Sequence, residues 1–322
     1  GYYFLLFILS SQIRDFKYMK KKYLIFGGSG FIGSEIVKLA KTQNDITVLS
    51  QGKHQNFKKF DQEGLEFYKI KYTEKEISKI FLKKNFDSVF ILSGNPYPAF
   101  SEKRLKLDIK LTIDPLINIL NLLKDVNFKG SIWYSSSVAV YGDSKKNKLS
   151  EGDLPRPISP YGIAKLAAEN YCRFFTKKYG LNIGILRLFS TFGPNLKRQV
   201  IFDLFQKMKK NPKSLLLLSK KGDARDFSYV TDVAKAILYL DTKHSPCGDI
   251  INIGSGKAIK IIDVAKIIAS EISYNGKINE ESASRRFIDG ASWCADVKLL
   301  KKFGFKHSYS FEDGIKNTIE KW

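Results

Sequence analysis

Two residues four positions apart, Tyr161 and Lys165, could together transfer a proton. On a helix, this spacing places both side chains on one face. The ammonium group of the lysine would stabilise the phenolate and lower the pKa of the tyrosine from its ordinary value of about 10. We therefore predict that Tyr161 exchanges a proton with a substrate hydroxyl while a hydride moves to or from a nicotinamide ring.

The spacing alone does not select this pair. The chain contains four Tyr-xxx-Lys pairs, at Tyr18/Lys22, Tyr141/Lys145, Tyr161/Lys165 and Tyr239/Lys243. Only Tyr161 follows a proline at a predicted helix start and has a serine cluster, Ser135 to Ser137, a short distance upstream. A hydroxyl from that cluster would hold the substrate oxygen, and the other three pairs are predicted to lie on the surface.

A glycine-rich segment predicts a phosphate-binding turn. Gly27, Gly30 and Gly33 follow a short apolar run and accompany a helical pattern that begins with Phe31 and Ile32. Glycines at these positions let the backbone turn sharply and approach a pyrophosphate, and the positive end of the helix dipole faces its negative charge. These five residues are predicted to bind a dinucleotide.

The second predicted strand ends at Ser50, where NAD-binding proteins usually carry a carboxylate for the adenosine ribose. No Asp or Glu follows until Asp61, and Lys53 and His54 lie between. A 2′-phosphate would meet no repulsion there, so NAD and NADP are both candidate cofactors. Alternatively, Lys53 belongs to a solvated loop and has no part in the choice.

The elements that position these residues alternate along the chain. Predicted strands are Tyr23 to Phe26, Ile46 to Leu49, Ser88 to Leu92, Ser131 to Tyr134 and Ile183 to Leu188, with helical patterns at Phe31 to Ala40, Leu111 to Leu123 and Lys165 to Lys178. The alternation indicates an α/β fold with a doubly wound, Rossmann-like parallel sheet. We predict a dinucleotide-binding domain over residues 19–187. A smaller C-terminal substrate lobe, with segments that return to the first domain, is predicted over residues 188–322.

Composition limits the partners. The 322 residues carry a formal net charge of +22, which would attract nucleic acid or an anionic membrane. The lysines are spread along the whole chain without an arginine-rich stripe, so we expect neither partner. Three scattered cysteines and three scattered histidines build no disulfide framework or zinc motif, which predicts a cytoplasmic protein without a metal site. Residues 1–18, which precede Met19, are predicted to be an upstream extension.

Six motifs in register resemble the NAD-dependent epimerase/dehydratase family of extended short-chain dehydrogenases. They are GGSGFIGSEIV at 27–37, SSSVAVYG at 135–142, SPYGIAK at 159–165, LRLFSTFGPN at 186–195, RDFSYVTDVAKA at 225–236 and INIGSG at 251–256. The resemblance implies that Tyr161 and Lys165 are the catalytic pair and that Lys165 also binds the cofactor. It implies that Ser137 supplies the hydroxyl beside them, with Ser136 as the nearby alternative. A nucleotide-diphosphate sugar as substrate and a homodimer are implied as well.

The resemblance also assigns the substrate contacts. Arg225 and Arg286 look like the two arginines that meet the nucleotide diphosphate, because paired guanidinium groups can each donate bidentate hydrogen bonds. Without the resemblance, a structural salt bridge between Arg225 and Asp226 is the alternative interpretation. Ser190 stands at a sugar-contacting position where a related pattern has Asn, which leaves the sugar open. Trp293 is predicted either to line the sugar pocket or to lie in the core.

One departure from the family narrows the reaction. Family members that remove water or carbon dioxide resemble one another in an acidic residue just after the serine, and here those positions are Val138 and Ala139. Without that general acid, epimerisation through a keto-sugar intermediate is the leading hypothesis. An NADPH-dependent 4-keto-nucleotide-sugar reductase is the alternative. A third hypothesis is a non-catalytic cofactor-sensing or RNA-binding homologue. The presence of all three residues, Ser137, Tyr161 and Lys165, argues against it.

Overall fold

The computed structural model describes residues 20–51, 65–95, 98–144, 146–218, 223–281 and 292–322. The strands within these ranges are β1 Lys22–Phe26, β2 Asp45–Ser50, β3 Glu66–Lys69, β4 Ser88–Ile91, β5 Ser131–Ser137, β6 Asn182–Leu188, β7 Ser190–Phe192, β8 Ser214–Leu218, β9 Ala224–Tyr229, β10 Ile250–Ile253, β11 Ala258–Lys260, β12 Lys277–Glu281 and β13 Ser292–Trp293.

The α-helices are α1 Phe31–Ala40, α2 Glu74–Phe81, α3 Leu105–Asp108, α4 Asp114–Asp125, α5 Pro160–Tyr179, α6 Gln199–Lys210, α7 Val230–Lys243, α8 Ile261–Glu271, α9 Lys298–Lys302 and α10 Phe311–Ile319. A π-helix, Ile109–Ile113, joins α3 directly to α4. Short 3-10 turns occupy Pro98–Phe100 and Val138–Tyr141.

Seven strands form one parallel sheet in the order β10-β6-β5-β4-β1-β2-β3. From β1, the chain adds β2 and β3 on one side. It then returns to the other side of β1 and adds β4, β5, β6 and β10. The carboxyl ends of β1 and β4 therefore border the crevice in which doubly wound sheets bind ligands. The predicted doubly wound fold is confirmed. The sequence patterns missed β3, whose four residues are only partly buried or exposed.

Helices cover both faces of this sheet, because its strands are apolar on both sides. β4 is buried at all four positions and β1 at four of five, which is typical of central parallel strands. One face packs against α2, α4 and α5, and the other against α1, α7 and α9. The core side chains that these helices contribute include Ile77, Leu120 and Cys172 on the first face, and Ile36, Ile237 and Leu300 on the second.

A second apolar cluster lies in the C-terminal part of the chain. It combines α6, α8 and α10 with β8 and β9. β9 also pairs with β7, β11 and β13 in a small sheet. Two later elements return to the large sheet, since β10 extends it and α7 covers it. The boundary at residue 187 stays a prediction, and the proposed extension before Met19 lies outside the described residues.

Candidate active site

The glycine turn between β1 and α1 requires glycine at two of its positions. Gly27 has a φ of +79°, and a Cβ atom there would lie 2.9 Å from Ser93 N. A Cβ atom on Gly33 would lie 2.3 Å from Gly27 O, which also accepts the Gly30 N–H at 2.9 Å. Any side chain at Gly33 would therefore force the helix away from the turn.

The first turn of α1 can receive an anion. Among the described residues, no side chain caps this helix, and its first turn contains no acidic residue. Phe31 and Ile32 occupy that turn, and both are partly buried. The backbone N–H groups and the helix dipole here favour negative charge, and the turn borders the crevice at β1. The predicted dinucleotide-binding residues thus fit a pyrophosphate.

Ser50 ends β2 beside the glycine turn. Its side chain is buried, and its Oγ lies 2.6 Å from the Oγ of Ser29 within the turn. The structure therefore brings a hydroxyl, not a carboxylate, to the position expected to face the adenosine ribose. Lys53 and His54, which suggested NADP, lie outside the described residues.

The Tyr161 and Lys165 pair lies at the start of α5. Ser159 caps the helix by accepting a hydrogen bond from Gly162 N–H at 3.1 Å, and Pro160 occupies its first turn. Lys165 is buried and donates to Ser135 O at 2.7 Å. Its Nζ lies 6.0 Å from the centroid of the Tyr161 ring. The Ser137 side chain, at the end of β5, lies beside Tyr161 and acts to lower the pKa of its hydroxyl. The three predicted catalytic residues are thus together.

The pKa of Tyr161 shifts opposite to our prediction. Burial raises it to about 12, although the neighbouring Ser137 side chain acts in the other direction. Burial also lowers the pKa of Lys165 to about 8. In this arrangement burial outweighs any lowering of the phenol pKa by the lysine, whose ammonium group is directed to the Ser135 carbonyl.

Ser136 and Ser137 have different surroundings, because successive side chains leave a strand on opposite faces. Ser136 Oγ donates to Glu169 Oε1 at 2.6 Å. Arg187 donates to both oxygens of the same carboxylate, at 3.0 and 2.7 Å, and all three side chains are buried. The sequence analysis missed Glu169 and Arg187, although Glu169 follows Lys165 by one helical turn. The role of Ser136 as an alternative substrate-binding hydroxyl stays a prediction. In this structure its hydroxyl is hydrogen-bonded to Glu169.

Tyr141 corrects one sequence prediction. It was expected on the surface with Lys145, but its side chain is buried in the 3-10 turn after β5. Its hydroxyl donates to Asn252 Oδ1 at 2.7 Å, and Arg187 stacks on its ring at 4.5 Å. The turn folds this ring inward because Val138 and Ala139 beside it are buried as well.

Trp293 joins the apolar cluster formed by that turn. It is buried, and its Nε1 donates to Gly142 O at 3.0 Å. The guanidinium of Arg225 lies 5.1 Å above its ring. Trp293 therefore belongs to a core cluster and also supports the predicted diphosphate ligand Arg225.

The residues around Arg225 come from one small sheet. Arg225 is paired in register with Trp293, while Ser190 is paired with Phe227 on the same β9 strand. The buried Asp226 carboxylate accepts hydrogen bonds from the N–H groups of Ser255, Gly256 and Ala295 and from the Ser255 hydroxyl. Asp226 thus fixes the loop beside Arg225. Arg286, the predicted second arginine, lies outside the described residues.

A polar cluster beside Lys165 was not predicted. Asp108, at the end of α3, is buried and accepts a hydrogen bond from Asn95 Nδ2 at 2.9 Å. Asn95 N–H donates to Thr112 Oγ1 at 3.3 Å. The sequence gives little indication of this cluster. Asp108 stands in a run of lysines and leucines that is typical of an ordinary amphipathic helix.

In the part of the chain that the structure describes, no helix is long and apolar enough to cross a membrane. The same residues contain no group of three or more His, Cys, Asp or Glu side chains placed to hold a metal ion. All three cysteines are free, with Cys172 and Cys294 buried.

Comparison with known proteins identifies the family. Residues 23–254 match the model of the NAD dependent epimerase/dehydratase family. The chain belongs to this family. The match contains the glycine turn, Ser137, Tyr161, Lys165 and Arg225, whereas Trp293 follows it.

Individual relatives are similar to this chain over nearly all of its length. A Methanocaldococcus jannaschii protein provisionally named a UDP-glucose 4-epimerase is 29% identical over 92% of this chain and 96% of its own length. A solved UDP-N-acetylglucosamine 4-epimerase of Methanobrevibacter ruminantium, in complex with UDP-N-acetylmuramic acid, is 28% identical with a TM-score of 0.83, covering 94% of this chain and 97% of that one. A UDP-glucose 4-epimerase of Thermotoga maritima with UDP-glucose is 27% identical with a TM-score of 0.83, covering 93% and 98%.

Proposed function

We propose that this chain is an NAD-dependent 4-epimerase of a UDP-linked sugar. The observation that carries the proposal is the contact of Tyr161 with Ser137, one helical turn from Lys165, beside a glycine turn at the crevice of the large sheet. Several of its relatives in both sequence and structure are named as 4-epimerases of UDP-sugars. The similarity to them covers 92–94% of this chain.

The proposed reaction assigns a proton transfer to Tyr161. Its hydroxyl is protonated at neutral pH, since burial raises its pKa to about 12. A bound nicotinamide would take a hydride from the sugar carbon and return it to the opposite face of the keto sugar. Because a protonated phenol cannot accept a second proton, the phenolate form of Tyr161 would take the hydroxyl proton as the carbonyl forms, and the resulting phenol would give it back as the carbonyl is reduced. Ser137 would hold the same oxygen.

Lys165 has two parts in the proposal. Its ammonium group would stabilise negative charge on the Tyr161 oxygen and donate to the ribose of the cofactor. Because burial lowers its pKa to about 8, the lysine stays mostly charged at neutral pH and loses that charge under mildly alkaline conditions. The Ser135 carbonyl at 2.7 Å holds it in place.

Two residues after Ser137 favour epimerisation over loss of water. Val138 and Ala139 are buried in an apolar cluster, so neither position supplies the general acid that elimination needs. A keto-sugar formed here would have no acid at these positions to expel a neighbouring hydroxyl. Ser137, Tyr161 and Lys165 instead support return of the hydride to the keto sugar.

For the cofactor we propose NAD, because the family is NAD-dependent. The buried Ser50 hydroxyl, 2.6 Å from Ser29 Oγ, would face the adenosine ribose without the carboxylate that commonly disfavours NADP. NADP binding is therefore expected to be weaker but measurable. Titration of the purified protein with each dinucleotide tests this, and tighter binding of NADP would reverse the assignment.

For the substrate we propose contacts on the small sheet. Arg225, stacked on Trp293, would bind the diphosphate together with Arg286, and Ser190 would contact the sugar. Stacking fixes the guanidinium before the ligand arrives, which reduces the entropy that binding costs. The nucleotide base is proposed from the relatives alone.

A homodimer is the assembly that we propose. α5 leaves Ile163, Tyr171 and Phe174 exposed on its outer face, and a second copy would cover them. Sedimentation should give twice the chain mass, and Phe174→Glu should shift the protein to monomer. A monomeric wild-type protein at micromolar concentration would contradict this part.

The decisive experiment follows the sugar and the cofactor together. The purified protein, loaded with NAD, is incubated with UDP-glucose, UDP-galactose or their N-acetylamino counterparts, and products are separated by chromatography. The expected result is an equilibrium mixture of 4-epimers without net change in nicotinamide absorbance. Stoichiometric consumption of NADPH with a 4-keto sugar would instead establish the reductase, and salt-sensitive RNA binding without turnover would establish a non-catalytic role.

A further inference from the structure

Beside Lys165 lies a buried polar cluster that the proposed reaction does not use. Asp108, with only 2% of its surface exposed, accepts a hydrogen bond from Asn95 Nδ2 through its Oδ1 atom. The same amide nitrogen donates to Ser101 Oγ at 3.1 Å. The carboxylate is therefore held in one orientation by a side chain that is itself anchored.

The second oxygen of this carboxylate has no acceptor role within the described residues. Asp108 Oδ2 is buried and finds no hydrogen-bond partner there. Leaving a carboxylate oxygen buried without a donor is costly, because an ionised carboxylate accepts several hydrogen bonds in water. Such a buried, unpartnered atom indicates a donor that arrives with a ligand.

The cluster faces the catalytic pair. Gly94 precedes Asn95 at the carboxyl end of β4, and a Cβ atom there would lie 3.3 Å from Lys165 Nζ. Burial is the main reason that the pKa of Tyr161 is raised, and the charge of Asp108 adds to that rise. The same charge opposes the lowering of the pKa of Lys165. Asp108 is thus close enough for both groups to sense its charge.

A local distortion places Asp108 there. It is the last residue of α3, and the π-helix Ile109–Ile113 follows at once before α4 begins. A π-helical turn accommodates one extra residue and so rotates the preceding helix relative to the following one; such turns are frequent at functional sites. Here the distortion aligns Asp108 and Thr112 with Asn95.

We propose that Asp108 Oδ2 accepts a hydrogen bond from the C6 hydroxyl of the substrate sugar, and that it thereby selects a neutral hexose over a uronate. The inference rests on the proposed 4-epimerisation. The neighbours of the reacting carbon are the C3 hydroxyl on one side and, through C5, the C6 group on the other. The C6 hydroxyl of a neutral hexose can donate, whereas the C3 hydroxyl is the same in both sugars and cannot distinguish them. A C6 carboxylate can only accept and repels Asp108.

The test compares UDP-glucose with UDP-glucuronate on the NAD-loaded protein. Dissociation constants are measured by calorimetry for the wild type, Asp108→Asn and the control Asp114→Asn, which removes a charge at an exposed position on the adjoining α4. We expect the wild type and the control to bind UDP-glucose about tenfold or more tightly than UDP-glucuronate, the size of one charged hydrogen bond. Asp108→Asn should narrow that ratio severalfold.

Three results would overturn the proposal. One is a wild type that binds both sugars equally or prefers UDP-glucuronate, a measurement that needs no variant to fold. A second is an unchanged ratio in Asp108→Asn, with a normal melting temperature. The third is a weaker affinity of Asp108→Asn for NAD with an unchanged sugar ratio, which would assign the donor to the cofactor ribose.

Binding and turnover separate this inference from the proposed function. If the wild type selects UDP-glucose but produces no epimer, Asp108 keeps its role and 4-epimerisation fails. If epimers form without selection, the function stands and the role of Asp108 fails. Binding of neither sugar would overturn both.

Discussion

The two halves of the candidate site are assembled in different ways. Tyr161 and Lys165 share one helix, and their relative position follows from four residues of α-helix. Arg225 and Trp293 stand on β9 and β13, and they meet only because these strands pair in register. The first pair is a property of local sequence, whereas the second exists only in the folded chain.

The halves also differ in what surrounds them. Lys165 is buried against β5, so its charge is sensitive to desolvation and its pKa falls to about 8. Arg225 is partly exposed and rests on an aromatic ring. We therefore expect changes in the helical half to abolish chemistry and changes in the strand half to weaken binding.

Loss of the Tyr161 hydroxyl should have the largest effect. Tyr161→Phe removes the proton donor and is expected to lower kcat by roughly 10²- to 10⁴-fold, with little change in the binding of UDP-sugar. Tyr239→Phe is the matched control from another Tyr-xxx-Lys pair, since its hydroxyl only donates to Phe303 O at 3.1 Å. Equal activity of the two variants in the epimer assay would remove Tyr161 from the chemistry.

A methyl group in the glycine turn should have the next largest effect. Gly33→Ala places a Cβ atom 2.3 Å from Gly27 O, so α1 must move away from the phosphate position. We expect NAD affinity to fall on the order of 100-fold, as expected when binding groups shift by about an ångström. Gly152→Ala is the control, because nothing lies within 4 Å of its Cβ position. Unaltered NAD binding by Gly33→Ala would place the dinucleotide elsewhere.

In the strand half, a smaller change is expected. Trp293→Leu removes the ring under Arg225 and should weaken UDP-sugar binding by about 0.5–2 kcal/mol, with kcat nearly unchanged. Trp293→Phe keeps a ring and should recover part of the affinity. A fall in kcat with an unchanged KM would show that this half takes part in the chemistry, contrary to the comparison.

The smallest effect concerns pH. Burial lowers the pKa of Lys165 from 10.5 to about 8, so between these values the unfolded chain binds a proton that the folded chain lacks. The free energy of unfolding contributed by this group therefore rises with pH across that window and is lowest below pH 8. Chemical denaturation of the wild type and Lys165→Met from pH 7 to 10 should show their difference increasing in favour of the wild type. A constant or decreasing difference would mean that the lysine is not desolvated.

The direction of the Tyr161 pKa shows where spacing misled the sequence analysis. Four residues of helix place the lysine on the same face as the phenol, as predicted. The spacing could not reveal that Ser135 O would accept the ammonium hydrogen bond or that burial would raise the pKa. Both effects come from residues outside α5: Ser135 lies on β5, and Tyr161 packs against an apolar cluster that includes Val138. The spacing within one helix carries no information about such contacts.

By itself, the sequence determined the alternation of the central strands and helices of the large sheet, the glycine turn and the helical spacing of Tyr161 and Lys165, because each follows from periodicity or from contacts within a few residues. Only the tertiary structure decided that Tyr141 would be buried, that Ser136 would bind Glu169 and Arg187, and that Trp293 would support Arg225. It alone brought Asp108 close to Lys165. These contacts depend on strand register and on a π-helical turn. Neither feature produces a periodic pattern that can be recognised in the sequence.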